Sequence, residues 1–115
     1  MRIQTVMVSV MPLAGRSFEL CDQNLKIAPA SGGVYALYQN HELIYVGHAQ
    51  GDLTTIRSCL QDHKAGRSGV CTKSADTYKR ETCGDPAALE RKLLEEFKRS
   101  NGKLPRCNQA LADDS

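Results

Sequence analysis

The stretch 31–48, SGGVYALYQNHELIYVGH, constrains this chain more than any other. It holds two short apolar runs, Gly33 to Tyr38 and Leu43 to Gly47, both rich in the β-branched and aromatic residues that suit a pleated, half-buried surface. Between them Gln39, Asn40, His41 and Glu42 are polar, and Asn tolerates left-handed backbone angles. A connection this short joins only antiparallel neighbours, so the unit is expected to be a β-hairpin.

With 115 residues the chain has material for one small core, and 41% apolar against 24% charged residues is ordinary globular composition. Tryptophan is absent and aromatics are few, so Leu, Ile, Val and Ala must fill the interior. No apolar run approaches the roughly 20 residues that span a bilayer, which argues against a membrane partner. The first residues, MRIQTVMVSV, alternate as a strand does and make a poor secretory signal. Five cysteines at irregular spacing, without a Cys-x-x-Cys pair, argue against a disulfide framework and a structural zinc site. They read as small buried hydrophobes in a reducing cytoplasm.

The formal net charge is +2, but residues 54–108 carry twelve Lys or Arg against seven Asp or Glu. That basic excess would suit phosphate contact, although a modest excess is also what a solvated face carries.

Beyond the hairpin, Asp52 or Thr54 can cap a helix over 55–64 that sets Ile56, Cys59, Leu60 and His63 on one face. Gly66 is a natural end for it, and the residues to Ser74 read as loop. Residues 75–83 are expected to be a polar third strand, at a sheet edge or partly covered by the loop before it. Asp85-Pro86 opens a second helix to about Arg99 with Leu89, Leu93, Leu94 and Phe97 as its apolar stripe, stopped by Asn101-Gly102. Residues 104–108 read as extended. The expected fold is α+β (α/β in the broad sense), a three-stranded antiparallel sheet flanked by helices. Residues 1–30 form an extension made of a strand and an irregular arm, 31–108 the module and 109–115 an acidic tail.

Gly33-Val34-Tyr35 and Tyr45-Val46-Gly47 stand ten residues apart, tyrosine to tyrosine. They are followed by His63 on one helix, Glu90 on another, and a terminal Pro105-Arg106-Cys107-Asn108. In this order the chain resembles the GIY-YIG nuclease family from about Ser31 to Asn108. The resemblance implies a GIY-YIG nuclease-like fold and a DNA endonuclease that hydrolyses phosphodiester bonds with a divalent cation, Mg2+ or Mn2+.

By the same resemblance Tyr35 and Tyr45 flank the scissile phosphate, with Tyr35 favoured as the base, and Glu90 holds the metal. His63 hydrogen-bonds a tyrosine hydroxyl or the phosphate, and Asn108 supports the site and is a candidate phosphate contact. Lys64, Arg67, Lys73, Lys79 and Arg80 are candidate contacts to the nucleic-acid backbone, which would position DNA without reading its sequence.

The departure is at the phosphate-binding arginine, which the family carries four residues before the histidine; here that residue is Cys59. The available substitute is Arg57, about 120° round the helix from His63. A thiol cannot replace paired guanidinium donors. The alternative is therefore a catalytically impaired relative that binds nucleic acid or protein. At this length no separate recognition domain is expected, so specificity would come from the first thirty residues, the loop from Gly66 to Ser74, a homodimer or a partner protein.

Overall fold

The two left-handed residues at the hairpin tip are Asn40 (φ 50°) and His41 (φ 71°). They make a two-residue turn of the kind whose twist matches paired strands, joining β2 (Gly33–Gln39) to β3 (Glu42–Ala49). Gln39 and Glu42, expected in the turn, instead pair with each other as the last rung of the ladder. The computed structural model describes Leu13 and residues 15–109; the strand expected over 1–10 and the tail beyond Gln109 lie outside the described residues.

Around this hairpin lie β1 (Phe18–Glu19), α1 (Asp22–Lys26), α2 (Ile56–Ala65), α3 (Val70–Lys73), β4 (Thr77–Thr82) and α4 (Pro86–Asn101). The sheet is antiparallel with the order β1-β4-β2-β3. It therefore has four strands where three were expected. The extra one comes from the supposedly irregular arm, where Phe18 pairs with Tyr78 and Glu19 with Thr77. Consequently β4 is not the edge strand that its polarity suggested, although β1 covers only its first two residues. The arm also supplies Leu20, Leu25 and Ala28 to the main core.

Each face of the sheet is covered. On one, Tyr35, Leu37, Ile44, Ala49 and Tyr78 pack with Ile56 and Leu60 of α2. On the other, Val34, Ala36, Tyr38, Leu43 and Val46 pack with Leu93 of α4, with Leu89, Leu94 and Phe97 partly buried beside them. Strict alternation from Leu43 would send Tyr45 to the α4 face. A bulge prevents this: Leu37 pairs with Tyr45 but Tyr38 with Leu43, which leaves Ile44 without a partner opposite. Ile44 and Tyr45 therefore both join the α2 face, where Tyr35 lies.

Helix boundaries follow local chemistry. Thr55, rather than Asp52 or Thr54, caps α2: its hydroxyl accepts from the Ser58 backbone N–H while the Ser58 hydroxyl accepts from the Thr55 N–H. Gly66, at φ 82°, ends the helix in the left-handed conformation. Asp85 caps α4 with Pro86 in its first turn, and Gly102 closes it two residues beyond the expected end. Residues 106–109 form a helical turn instead of an extended segment, and α3 occupies part of the expected loop. Among the described residues, no helix is long and apolar enough to cross a membrane.

Cys71 of α3 is disulfide-bonded to Cys107. This corrects the expectation of five unpaired cysteines and removes the support they gave to a reducing compartment; Cys21, Cys59 and Cys83 are free and half-buried. The bond spans 36 positions, and closing a loop of that size in the unfolded chain is worth about 3–4 kcal/mol. Urea denaturation of Cys71→Ala/Cys107→Ala is expected to show a loss of that order, and addition of a reductant should lower the parent toward the same midpoint.

Candidate active site

Gly47 makes the hairpin's tyrosines neighbours. It pairs with Tyr35 across the ladder, and a Cβ there would lie 2.7 Å from both the Tyr35 hydroxyl oxygen and Tyr45 Cε2. With no side chain at that point, the two rings lie over the strand with centroids 6.1 Å apart. From α2, His63 stacks obliquely against both, at 5.5 Å from Tyr35 and 4.9 Å from Tyr45. Tyr35, Tyr45, Cys59, Asp62, His63 and Ser68 line an open hollow of about 280 Å³.

The connected core of this hollow is a chain of three side chains. Tyr35 Oη lies 2.9 Å from His63 Nε2, and His63 Nδ1 lies 2.8 Å from Thr72 Oγ1. When Nδ1–H donates to Thr72, Nε2 is left to accept the Tyr35 hydroxyl. Sequence reasoning missed Thr72 because Gly66 and Gly69 around it read as loop; nothing in the sequence marks its contact.

Burial sets the protonation states. It lowers the His63 pKa to about 4, with the Asp62 charge opposing the shift. It also drives the Tyr35 phenol far upward, helped by Tyr45, Cys59 and the Glu90 charge. Tyr45 is raised by burial and then by Glu90, and the Cys59 thiol is raised chiefly by burial. At neutral pH the hollow thus contains a neutral imidazole, neutral phenols and a protonated thiol, so Cys59 offers no thiolate nucleophile.

This arrangement predicts a pH effect on stability. The unfolded chain takes up its histidine proton near pH 6.5, whereas His63 in the fold resists protonation down to about pH 4. Stability present above about pH 6.5 is therefore lost as the pH falls toward 4, by up to about 3 kcal/mol. Urea midpoints of the parent are expected to fall more steeply over that window than those of His63→Gln.

Arg57 does not line the hollow: its Nε donates to the Ala28 carbonyl at 2.9 Å, fastening the start of α2 to the loop after α1. The guanidinium next to the hollow belongs instead to Arg67, whose Nε lies 2.8 Å from the Asp62 carboxylate. Among the other expected phosphate contacts, Lys64 pairs with Asp22 at 3.3 Å and Lys73 is exposed. Arg80 is half-buried, with its guanidinium 4.6 Å from the Phe18 ring centre. Lys79 corrects its expected role as a surface contact: it is only 8% exposed, and its Nζ lies 3.4 Å from the Leu13 carbonyl. Pairing with Ala36 turns it to the α4 face.

Asn108 is where support is needed. Its Oδ1 accepts from Val46 N–H at 2.8 Å and its Nδ2 donates to Val46 C=O at 2.9 Å. It thereby satisfies the outer edge of β3 beside Tyr45, as a further strand would. The disulfide at Cys107 holds this turn to α3, which carries Thr72.

Glu90 stands apart from the hollow. It projects from α4 and its carboxylate meets His48 Nδ1, lining a second hollow on the α4 side of the sheet. Its charge still reaches both motif tyrosines. Among the described residues no three His, Cys, Asp or Glu side chains gather as a metal cage. A half-buried carboxylate beside an open hollow is nevertheless the kind of ligand that suits a cation keeping most of its waters, which is the role the family resemblance implies for Glu90.

Comparison with protein-family models, with curated proteins and with solved structures finds no match for this chain.

Proposed function

We propose that this chain is a metal-dependent DNA endonuclease of the GIY-YIG type. The observation that carries the reading is the Tyr35–His63–Thr72 chain, which runs from the hollow's lining into the buried Thr72. A phenol this strongly raised cannot act as a phenolate at neutral pH. It can act as a relay: as the water oxygen bonds to phosphorus and the ester P–O bond breaks, the water's proton passes to the Tyr35 oxygen, Tyr35 passes its own to His63 Nε2 and His63 releases it to solvent, while the leaving oxygen takes a proton from solvent. No phenolate accumulates, and Thr72 holds the imidazole in the accepting tautomer. Tyr45 orients the water or the phosphate. Glu90 would hold Mg2+ or Mn2+, which when bound supplies charge stabilisation for the phosphate oxygens. Arg67 is the guanidinium positioned to meet DNA at the rim, with Lys73 and Arg80 as further backbone contacts. A second copy or a partner protein would supply substrate choice.

A second reading, an impaired relative that binds nucleic acid or protein, is favoured by one observation: among the described residues no Lys or Arg lines the hollow, and Cys59 stands where the guanidinium was expected. Cleavage of a branched duplex and of supercoiled plasmid by the parent, Arg57→Ala and Arg67→Ala separates the two. The nuclease reading expects cleavage by the parent, a large loss in Arg67→Ala and a smaller one in Arg57→Ala. A parent that retards DNA on a gel but cuts neither substrate with Mg2+ or Mn2+ is a binding module.

A further inference from the structure

The residue after the second tripeptide carries a consequence that the sequence did not suggest. Because the bulge sends Tyr45 to the α2 face, Val46 and His48 alternate onto the α4 face. His48 there meets the Glu90 carboxylate through Nδ1, and the two side chains are 27% and 23% exposed. We propose that His48 and Glu90 together form a divalent-metal site with one nitrogen and one oxygen ligand, suited to Mn2+ or Co2+ over Mg2+. This deepens the nuclease reading and rests on its assignment of Glu90 as a metal ligand.

His48 Nδ1 and the Glu90 carboxylate face each other in contact, and rotating the two side chains apart opens the pair to the roughly 3 Å spacing of two donors bound to one ion at about 2 Å each. The other ring nitrogen also has the partner that a metal-bound histidine uses. His48 Nε2 lies 2.9 Å from the Gln50 side-chain amide. With the amide nitrogen inward, Gln50 donates to Nε2 and the ring proton sits on Nδ1, toward Glu90. Turned end for end, which changes almost nothing sterically, the amide oxygen accepts Nε2–H and leaves a lone pair on Nδ1 for a cation. The adjoining hollow of about 480 Å³ has room for the waters or phosphate oxygens that complete a coordination shell. Glu95 on its wall adds negative charge, and Arg91 and Lys98 offer cations to an incoming anion. An imidazole nitrogen adds affinity for first-row transition ions, more for Co2+ than for Mn2+, whereas Mg2+ takes oxygen.

The test is titration of the full, disulfide-intact chain with MnCl2, CoCl2 and MgCl2 by calorimetry, with visible absorption following Co2+, for the parent, His48→Gln and Glu90→Gln. In His48→Gln, Mn2+ and Co2+ affinity should fall at least tenfold while Mg2+ affinity stays within twofold, which also shows that the variant is folded. Glu90→Gln should lose all three ions. If His48→Gln binds Mn2+ and Co2+ like the parent while Glu90→Gln does not, the two-ligand site is wrong and Glu90 alone holds the metal. Thiolate absorption bands in the Co2+ spectrum would move the site to a cysteine and overturn the proposal. A parent that binds none of the ions, or a Glu90→Gln that binds them unchanged, removes both this site and the metal assignment beneath it.

Discussion

Tyr35→Phe is expected to lower DNA cleavage by about 10²- to 10⁴-fold, the usual contribution of a positioned proton-transfer group. The substitution removes one oxygen from a ring that is 3% exposed and leaves the ring's packing in place. It also strands His63 Nε2 without its 2.9 Å partner, at a stability cost of about 1–3 kcal/mol. Activity and stability must therefore be measured together, by single-turnover cleavage and urea denaturation. Tyr45→Phe should lose less, because no side-chain hydrogen bond joins Tyr45 to the His63–Thr72 pair. A folded Tyr35→Phe that cuts at the parental rate would take Tyr35 out of the proton path.

Gly33→Ala is expected to cost roughly 3 kcal/mol or more, a large share of the stability of a small domain. A Cβ at this position would lie 2.4 Å from the Glu81 carbonyl oxygen and 2.9 Å from Thr82 Cα, both backbone atoms of β4. It would also meet Ile56 Cδ1 at 2.8 Å, on the first residue of α2. Backbone in a paired strand cannot yield as a flexible side chain does, so relief would require parting β2 from β4 or lifting α2. Gly84→Ala is the control, since among the described residues nothing lies within 4 Å of its added Cβ. Equal urea midpoints for the two variants would contradict this account of why the first tripeptide begins with glycine.

The hairpin and α4 were legible in the sequence because their signals are local. Asn40 accepts a left-handed backbone, and Asp85, Pro86 and Gly102 act on residues within a turn of themselves. The same holds for the helical face of Ile56, Leu60 and His63. Long-range features were not legible. The bulge at Ile44 leaves no compositional mark, yet it decides which face Tyr45 and His48 occupy. The two residues of β1 are too short for periodicity, so their pairing hid β4 inside the sheet. Cys71 and Cys107 gave no pairing cue because the turn at 106–109 brings them together only in the fold. Arg57 was chosen by sequence spacing; the Ala28 carbonyl and the loop after α2 put Arg67, not Arg57, beside the hollow.

The most direct measurement is nicking of supercoiled plasmid by the purified chain across Mg2+ and Mn2+ concentrations, with EDTA, Tyr35→Phe and Glu90→Ala in parallel. Metal-dependent nicking by the parent, abolished by EDTA and lost in both folded variants, is the expected result. An inert parent, or nicking that survives EDTA and both substitutions, would contradict it.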